Sequence, residues 1–172
     1  ELFFFFFSIS KIKEFLKVHH LDQKYIVLAP SSIWETKRMP TEKFKELFNL
    51  LTHNTEYPIV LVGSSKDQIL CENIIDRRLP DTISTTPQSD KERIFNLAGK
   101  TDLVELSYVI SRAKGVVSND SSPIHFASAH NIPTVMIYGA TVPDFGYSTL
   151  SDKQYLAQVD GLSCRPCGIH GG

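Results

Sequence analysis

The chain has 172 residues, of which 42% are hydrophobic, enough for one ordinary buried core and too many for a disordered chain. Its 18 basic and 19 acidic residues leave a formal charge of −1, which argues against a nucleic-acid-binding surface or one drawn strongly to anionic membranes. Three cysteines do not make a secreted disulfide framework and point to a reducing compartment.

Glu1 is not an initiator methionine, and the chain ends on Gly171-Gly172 just after a cysteine-rich turn, so the expectation is a piece of a longer protein. Residues 2–7 are apolar throughout, yet far fewer than the roughly 20 that a membrane-spanning helix needs. They lack the flanks of a secretory signal and read as a strand or a terminal packing segment. Residues 10–20 place Ile12, Phe15, Leu16 and His19 at helical spacing between lysines, with Ser10 as a cap, which predicts a surface helix.

Residues 25–29 are a continuous apolar run ending at Pro30, the pattern of a strand buried on both faces. The loop that follows, residues 30–40, holds the single tryptophan, Trp34, and an adjacent Lys37-Arg38 pair. Loops of that length are commonly functional. Thr41 is expected to cap a helix over residues 42–52 with Phe44, Leu47, Phe48 and Leu51 on its core stripe. Residues 59–62 form a second buried strand, and residues 66–77 a helix with Ile69, Leu70 and Ile74 inward. Residues 79–93 read as a loop with a short strand near Ile83. Residues 94–97 form a strand, followed by a helix through Arg112, capped by Asp102 or Thr101, with Leu103, Leu106, Val109 and Ile110 as its buried face.

The stretch from Val116 to Tyr138 is a strand, a polar turn Asn119-Asp120-Ser121-Ser122-Pro123, a helix and a strand; residues 155–159 are a last candidate strand. Strands alternating with helices imply an α/β fold, a parallel sheet covered by helices on both sides. Ligands of such sheets bind at the strand carboxyl ends, where a following helix points free N–H groups and a positive dipole end. Three loops should therefore converge on one crevice: residues 31–38, residues 119–125 with His125 on the first helical turn, and Gly139-Ala140-Thr141. Read alone, the Asn119 turn is equally a plain helix cap and His125 an ordinary helix histidine.

Gly99-Lys100-Thr101 lacks the other glycine of a phosphate-binding P-loop, since Ile94 stands five positions earlier, and no dinucleotide-binding glycine fingerprint follows any strand. Lys37 and Arg38 precede a helix start, where cations gain nothing from the dipole, so a phosphate partner would explain both. A solvated pair is the other reading. Cys164-Arg165-Pro166-Cys167, even with His170, lacks the second ligand pair of a complete zinc site. No carboxylate pair or serine elbow supplies a general base or nucleophile.

Taken together, Pro30-Ser31-Ser32, Thr36-Lys37-Arg38-Met39-Pro40, Asn96-Leu97-Ala98-Gly99-Lys100-Thr101, Ser118-Asn119-Asp120-Ser121-Ser122-Pro123-Ile124-His125, Tyr138-Gly139-Ala140-Thr141 and the cysteine pair resemble the carboxyl-terminal domain of the family-nine glycosyltransferases, the ADP-heptose:lipopolysaccharide heptosyltransferases. The resemblance implies a Rossmann-like half of a two-domain GT-B enzyme, with residues 1–24 an interdomain or linker region, 25–160 the donor-binding domain and 161–172 a cysteine-containing segment cut short. It implies an inverting transfer of a sugar, heptose from ADP-heptose, to a lipopolysaccharide core acceptor. The donor would be a substrate, with no cofactor or metal. By the same resemblance the donor site comprises Ser31, Ser32, Thr36, Lys37, Lys100, Asp120, Ser121, Ser122, His125, Gly139 and Thr141, with Lys37 on the diphosphate and Lys100 near the base. The catalytic base and the acceptor would belong to the other half. The location implied is cytoplasmic, with at most a peripheral contact at the inner face of the inner membrane, and no nucleic-acid partner. Ser31 and Ser122 stand where the family usually has glycine, which would let backbone approach phosphate more closely. The alternatives are a non-catalytic nucleotide-binding or interaction module of the same fold, and a metal-binding protein built on Cys164, Cys167 and His170.

Overall fold

The computed structural model describes residues 2–21, 24–76 and 93–168, with the backbone alone for residues 2–8. The expected strand near Ile83 and His170 lie outside the described residues. Six strands, β1 (Ile26–Ala29), β2 (Ile59–Leu61), β3 (Ile94–Asn96), β4 (Gly115–Asn119), β5 (Thr134–Ile137) and β6 (Gln154–Ala157), form one sheet in the order β3-β2-β1-β4-β5-β6. Every neighbouring pair is parallel. This is the doubly wound Rossmann-like order, in which the sheet grows in one direction from β1 to β3 and in the other from β4 to β6.

Among the described residues the helices are α1 (Leu2–Val18), α2 (Thr41–Asn54), α3 (Gln68–Ile75), α4 (Leu103–Ser111) and α5 (Ser122–Ala129). Successive strand residues point to opposite faces, so each short apolar strand feeds two cores. On one face Val27, Val60 and Val116 meet Ile12 and Leu16 of α1, Val109 and Ile110 of α4, and Ala127 of α5. On the other face Leu28, Leu61 and Val117 meet Phe44 and Phe48 of α2 and Cys71 and Ile74 of α3. Tyr25, fully buried, donates its hydroxyl to the Val109 carbonyl at 2.5 Å, so the polar tip of a large core ring is satisfied and the start of β1 is tied to α4.

Residues 2–7 are not a strand: they are the first turns of α1, which runs unbroken to Val18 with Ser10 in its interior. A continuous apolar run does not distinguish helix from strand, and no glycine or proline separates it from the amphipathic stretch that follows. Among the described residues no helix is long and apolar enough to cross a membrane. Thr41 is the first helical residue of α2, not its cap; Pro40 precedes it without a side-chain cap bond. Asp102 is the cap of α4, in a reciprocal box with Glu105: the Glu105 N–H donates to Asp102 Oδ1 at 2.7 Å and the Asp102 N–H to Glu105 Oε2 at 2.9 Å.

Ile69, expected inward, is 71% exposed, because α3 begins only at Gln68 and Cys71 and Ile74 carry its core face. Leu103 is 68% exposed at the first turn of α4, beyond the edge of the core. Gly99 sits at φ 71°, and a Cβ there would lie 2.7 Å from the Ser65 Cα. The glycine of the Gly99-Lys100-Thr101 sequence is therefore required by its left-handed backbone and by close approach of the β2 loop, with no phosphate involved.

Burial sorts the cysteines. Cys71 is fully buried and its thiol is pushed up to about 12, mainly by burial and secondarily by Asp67 and Glu72, whereas Cys164 and Cys167 are exposed. Iodoacetamide applied to the native protein at mildly alkaline pH should label two thiols, and the third only in denaturant. Mass spectrometry showing Cys71 modified as fast as the other two would contradict this packing.

Candidate functional site

The carboxyl ends of β1, β2, β3 and β4, and the loop after β5, open on one cleft of about 1000 Å³. Its centre lies between β1 and β4, where the strand order reverses and neighbouring loops must diverge. Two consecutive side chains at the end of β4 organise that centre. Asn119 is still a strand residue, in register with Ile137, and is fully buried. Its Nδ2 donates to the Pro30 carbonyl at 2.7 Å and its Oδ1 accepts the Met39 N–H at 2.9 Å, so one amide holds both ends of the residue 30–40 loop.

Asp120 follows and is 6% exposed. Its Oδ2 accepts the Lys37 ammonium at 2.6 Å and the Thr141 hydroxyl at 3.0 Å, while its backbone carbonyl accepts Ser32 Oγ at 3.3 Å. Lys37, 8% exposed on a short 3-10 turn (Glu35–Lys37), is thereby a buried cation with its counter-ion. Neither charge could be buried alone without a large desolvation cost. The phosphate that Lys37 and Arg38 were expected to need for pairing is thus replaced in this structure by protein partners. Lys37 pairs with Asp120, and Arg38 Nε donates to the Ser32 carbonyl at 2.7 Å.

The turn then enters α5. Ser121 is the N-cap residue with extended backbone and no side-chain cap bond; its hydroxyl instead meets Ser118 Oγ at 3.1 Å. The expected cap role of the Asn119 to Ser122 side chains is therefore not realised, because Asn119 and Asp120 are committed to neighbouring loops. Pro123 occupies the first turn, where a missing N–H costs nothing. The start of α5, through Ser121, Ser122 and Pro123, lines the cleft together with Lys37, and the positive dipole end of a helix favours an anion at such a place.

Of the residues anticipated from sequence, Ser31, Ser32, Lys37, Asp120, Ser121, Ser122 and His125 line the cleft together. Thr141 reaches it through Asp120. Thr36 and Gly139 form a seam behind the lining: the Ala140 N–H donates to the Thr36 carbonyl at 3.1 Å, and a Cβ on Gly139 would stand 2.5 Å from that oxygen. Lys100 is exposed and outside the lining, since the turn after β3 presents Thr101 and Asp102 instead. Lining residues outside the anticipated set include Lys66 and Asp67 after β2, Leu103 and Leu106 of α4, and Tyr147 after β5. Their signal was topological: every parallel strand delivers its following loop to the same edge.

Chemically the cleft joins an anion-favouring centre to an apolar flank. A helix start, a buried ammonium with further N–H donors, serine hydroxyls and the exposed His125 imidazole surround the centre. Leu103 and Leu106 form an apolar ledge on the β3 side, and Ile33, Trp34 and Tyr147 lie around the same opening. Among the described residues no group of three or more His, Cys, Asp or Glu side chains is placed to hold a metal ion. Cys164 and Cys167 lie outside the lining.

Residues 7–168 match glycosyltransferase family 9 (heptosyltransferase). Lipooligosaccharide heptosyltransferase 2 of Haemophilus influenzae is 37% identical over 123 residues, covering 72% of this chain and 33% of the relative. Lipopolysaccharide heptosyltransferase 2 of Escherichia coli K12 is 36% identical over 109 residues, covering 63% and 29%. The solved structure of E. coli ADP-heptose lps heptosyltransferase II superposes with a TM-score of 0.72 at 27% identity, covering 91% of this chain and 48% of that one. The chain thus spans about a third of the length of the curated relatives it matches. With the family matched across nearly the whole chain, and its fold reproduced by a solved member, this chain belongs to glycosyltransferase family 9, the heptosyltransferase family.

Proposed function

We propose that this chain is the donor-binding half of an inverting GT-B glycosyltransferase that moves heptose from ADP-heptose onto a lipopolysaccharide core acceptor. The reading is supported by the names of the relatives, by a match to only part of their length, and above all by the buried Lys37 ammonium beside the start of α5. In this reading residues 25–160 hold the donor, and the acceptor and catalytic base come from the other half. The reaction runs in the cytoplasm, with the acceptor met at the inner face of the inner membrane.

The residues divide the work by chemistry. Asp120 takes one donor of the Lys37 ammonium, which leaves two for phosphate oxygens. Ser31, Ser32, Ser121 and Ser122 offer hydroxyls, and the first N–H groups of α5 meet the charge that develops on the departing diphosphate. Such an array stabilises the leaving group without having to reorganise, which is where electrostatic catalysis gains most. His125 flanks the phosphates, and the Leu103 and Leu106 ledge takes the flat face of the base. Asp120, committed to Lys37 and Thr141, is a structural anion and not the base.

Calorimetric titration with ADP, ADP-heptose, UDP and GDP sugars tests the assignment; absence of binding by every nucleotide at millimolar concentration would remove it. Lys37→Ala should weaken ADP far more than adenosine, since a charge-assisted hydrogen bond is worth about 1.5–3 kcal/mol and an unpaired Asp120 carboxylate would add repulsion. Equal losses for the two ligands would mean that Lys37 serves the fold alone. Ser122→Gly should raise ADP affinity by allowing closer backbone approach, while changing stability by no more than about 0.5 kcal/mol. A stability change with no gain in affinity would show that the turn only starts a helix.

A further inference from the structure

The cysteine turn is the sequence motif that the proposed function leaves unused, and its contacts run to the loop behind the cleft. Arg165, between the two cysteines, donates from Nε and Nη2 to the Thr141 carbonyl at 2.9 and 2.7 Å. Its other bonds, Nη1 to the Val159 carbonyl and Nη2 to Gln158 Oε1, both at 2.9 Å, anchor the guanidinium to the chain leaving β6. The Cys167 N–H donates to the Ala140 carbonyl at 3.1 Å. On its opposite side the same short loop is held by the turn that carries Lys37, through the Ala140 N–H to the Thr36 carbonyl and through the space left open at Gly139. The loop is clamped between the two turns.

We propose that Arg165 is a positioning residue of the donor site, acting through Thr141 and Asp120 on Lys37. The proposal rests on reading the Asp120 turn as the diphosphate site. Thr141 is β-branched, so fixing its backbone fixes the direction of its hydroxyl within a narrow range. That hydroxyl is 1% exposed together with its residue and donates to the same carboxylate oxygen that accepts Lys37. By holding the same oxygen from a second side, it fixes where the carboxylate meets the ammonium and so where the remaining N–H groups of Lys37 point. A planar guanidinium placing two donors on one carbonyl sets both distance and angle, which a single ammonium cannot do. The cysteine turn is in this view a brace for the donor loop, and the brace ends at a charge that the ligand reads.

The chain is compared as Arg165→Ala, Arg165→Lys, Thr141→Val and the Arg165→Ala/Thr141→Val double variant, by calorimetry with ADP and adenosine and by NMR of the Lys37 ammonium protons without ligand. Arg165→Ala should weaken ADP about fivefold and adenosine by less than about twofold, Arg165→Lys should recover part of the loss, and the double variant should lose no more than Thr141→Val alone. The Lys37 ammonium protons should exchange faster in Arg165→Ala than in the parent. Equal losses for ADP and adenosine, losses that multiply in the double variant, or an unchanged exchange rate would each overturn the proposal. Faster exchange in a chain whose parent binds no ADP would instead sink the donor reading and leave the brace standing.

Discussion

The buried pair of Lys37 and Asp120 is the contact on which the rest of the site depends. It closes a link across 83 residues of sequence and joins the loop after β1 to the end of β4. Asn119, one position earlier, ties the same two regions with neutral hydrogen bonds to Pro30 and Met39. The amide thus fixes the loop's two ends, and the ion pair fixes its middle. A buried ion pair is a poor source of net stability but a strong source of specificity, because either member without the other is costly. The loop consequently has one well-defined place, and Ser31, Ser32 and Trp34 are carried with it.

The fold supplies the location and the polar residues supply the meaning. A parallel sheet whose order reverses between β1 and β4 opens a crevice at that point whatever its sequence. In the proposed reading the crevice is an anion site because α5 begins there and the neighbouring cation is largely buried. The dipole end and the ammonium act together in a region that salt screens weakly, so their effect on a bound phosphate exceeds that of the same groups at a surface. Arg165 holds the Thr141 carbonyl from behind, on the side where, in the proposed reading, a leaving group would gather charge.

Much of this could be read from sequence, for identifiable reasons. β1 and β2 are continuous apolar runs because both sheet faces are covered, and both were legible at close to their observed bounds for that reason. The start of α4 was legible as a cap at Asp102 or Thr101, and the reciprocal bonds with Glu105 assign it to Asp102. The polar turn after Ser118 was visible as a ligand candidate because it falls between a strand and a helix. The less legible features are long-range or context-bound. Nothing local to Lys37 names Asp120 as its partner, and the adjacent basic residues suggested an external anion instead. Residues 2–7 carry no period, so their sequence alone does not say that they continue α1. The exposure of Ile69 and Leu103 follows from where each helix begins relative to the sheet, a boundary that composition does not fix. Lys66, Tyr147 and the Arg165 brace needed the topology before they could be placed near the cleft.

Lys37 and Asp120 form one unit, each kept buried by the presence of the other. A double-mutant cycle on folding stability, with Lys37→Met, Asp120→Asn and both together in denaturant titrations, tests it most directly. Each single change should cost about 3–5 kcal/mol by stranding a buried charge, and the double variant should be no less stable than either single one. Costs that simply add in the double variant would show two independent residues and contradict the account.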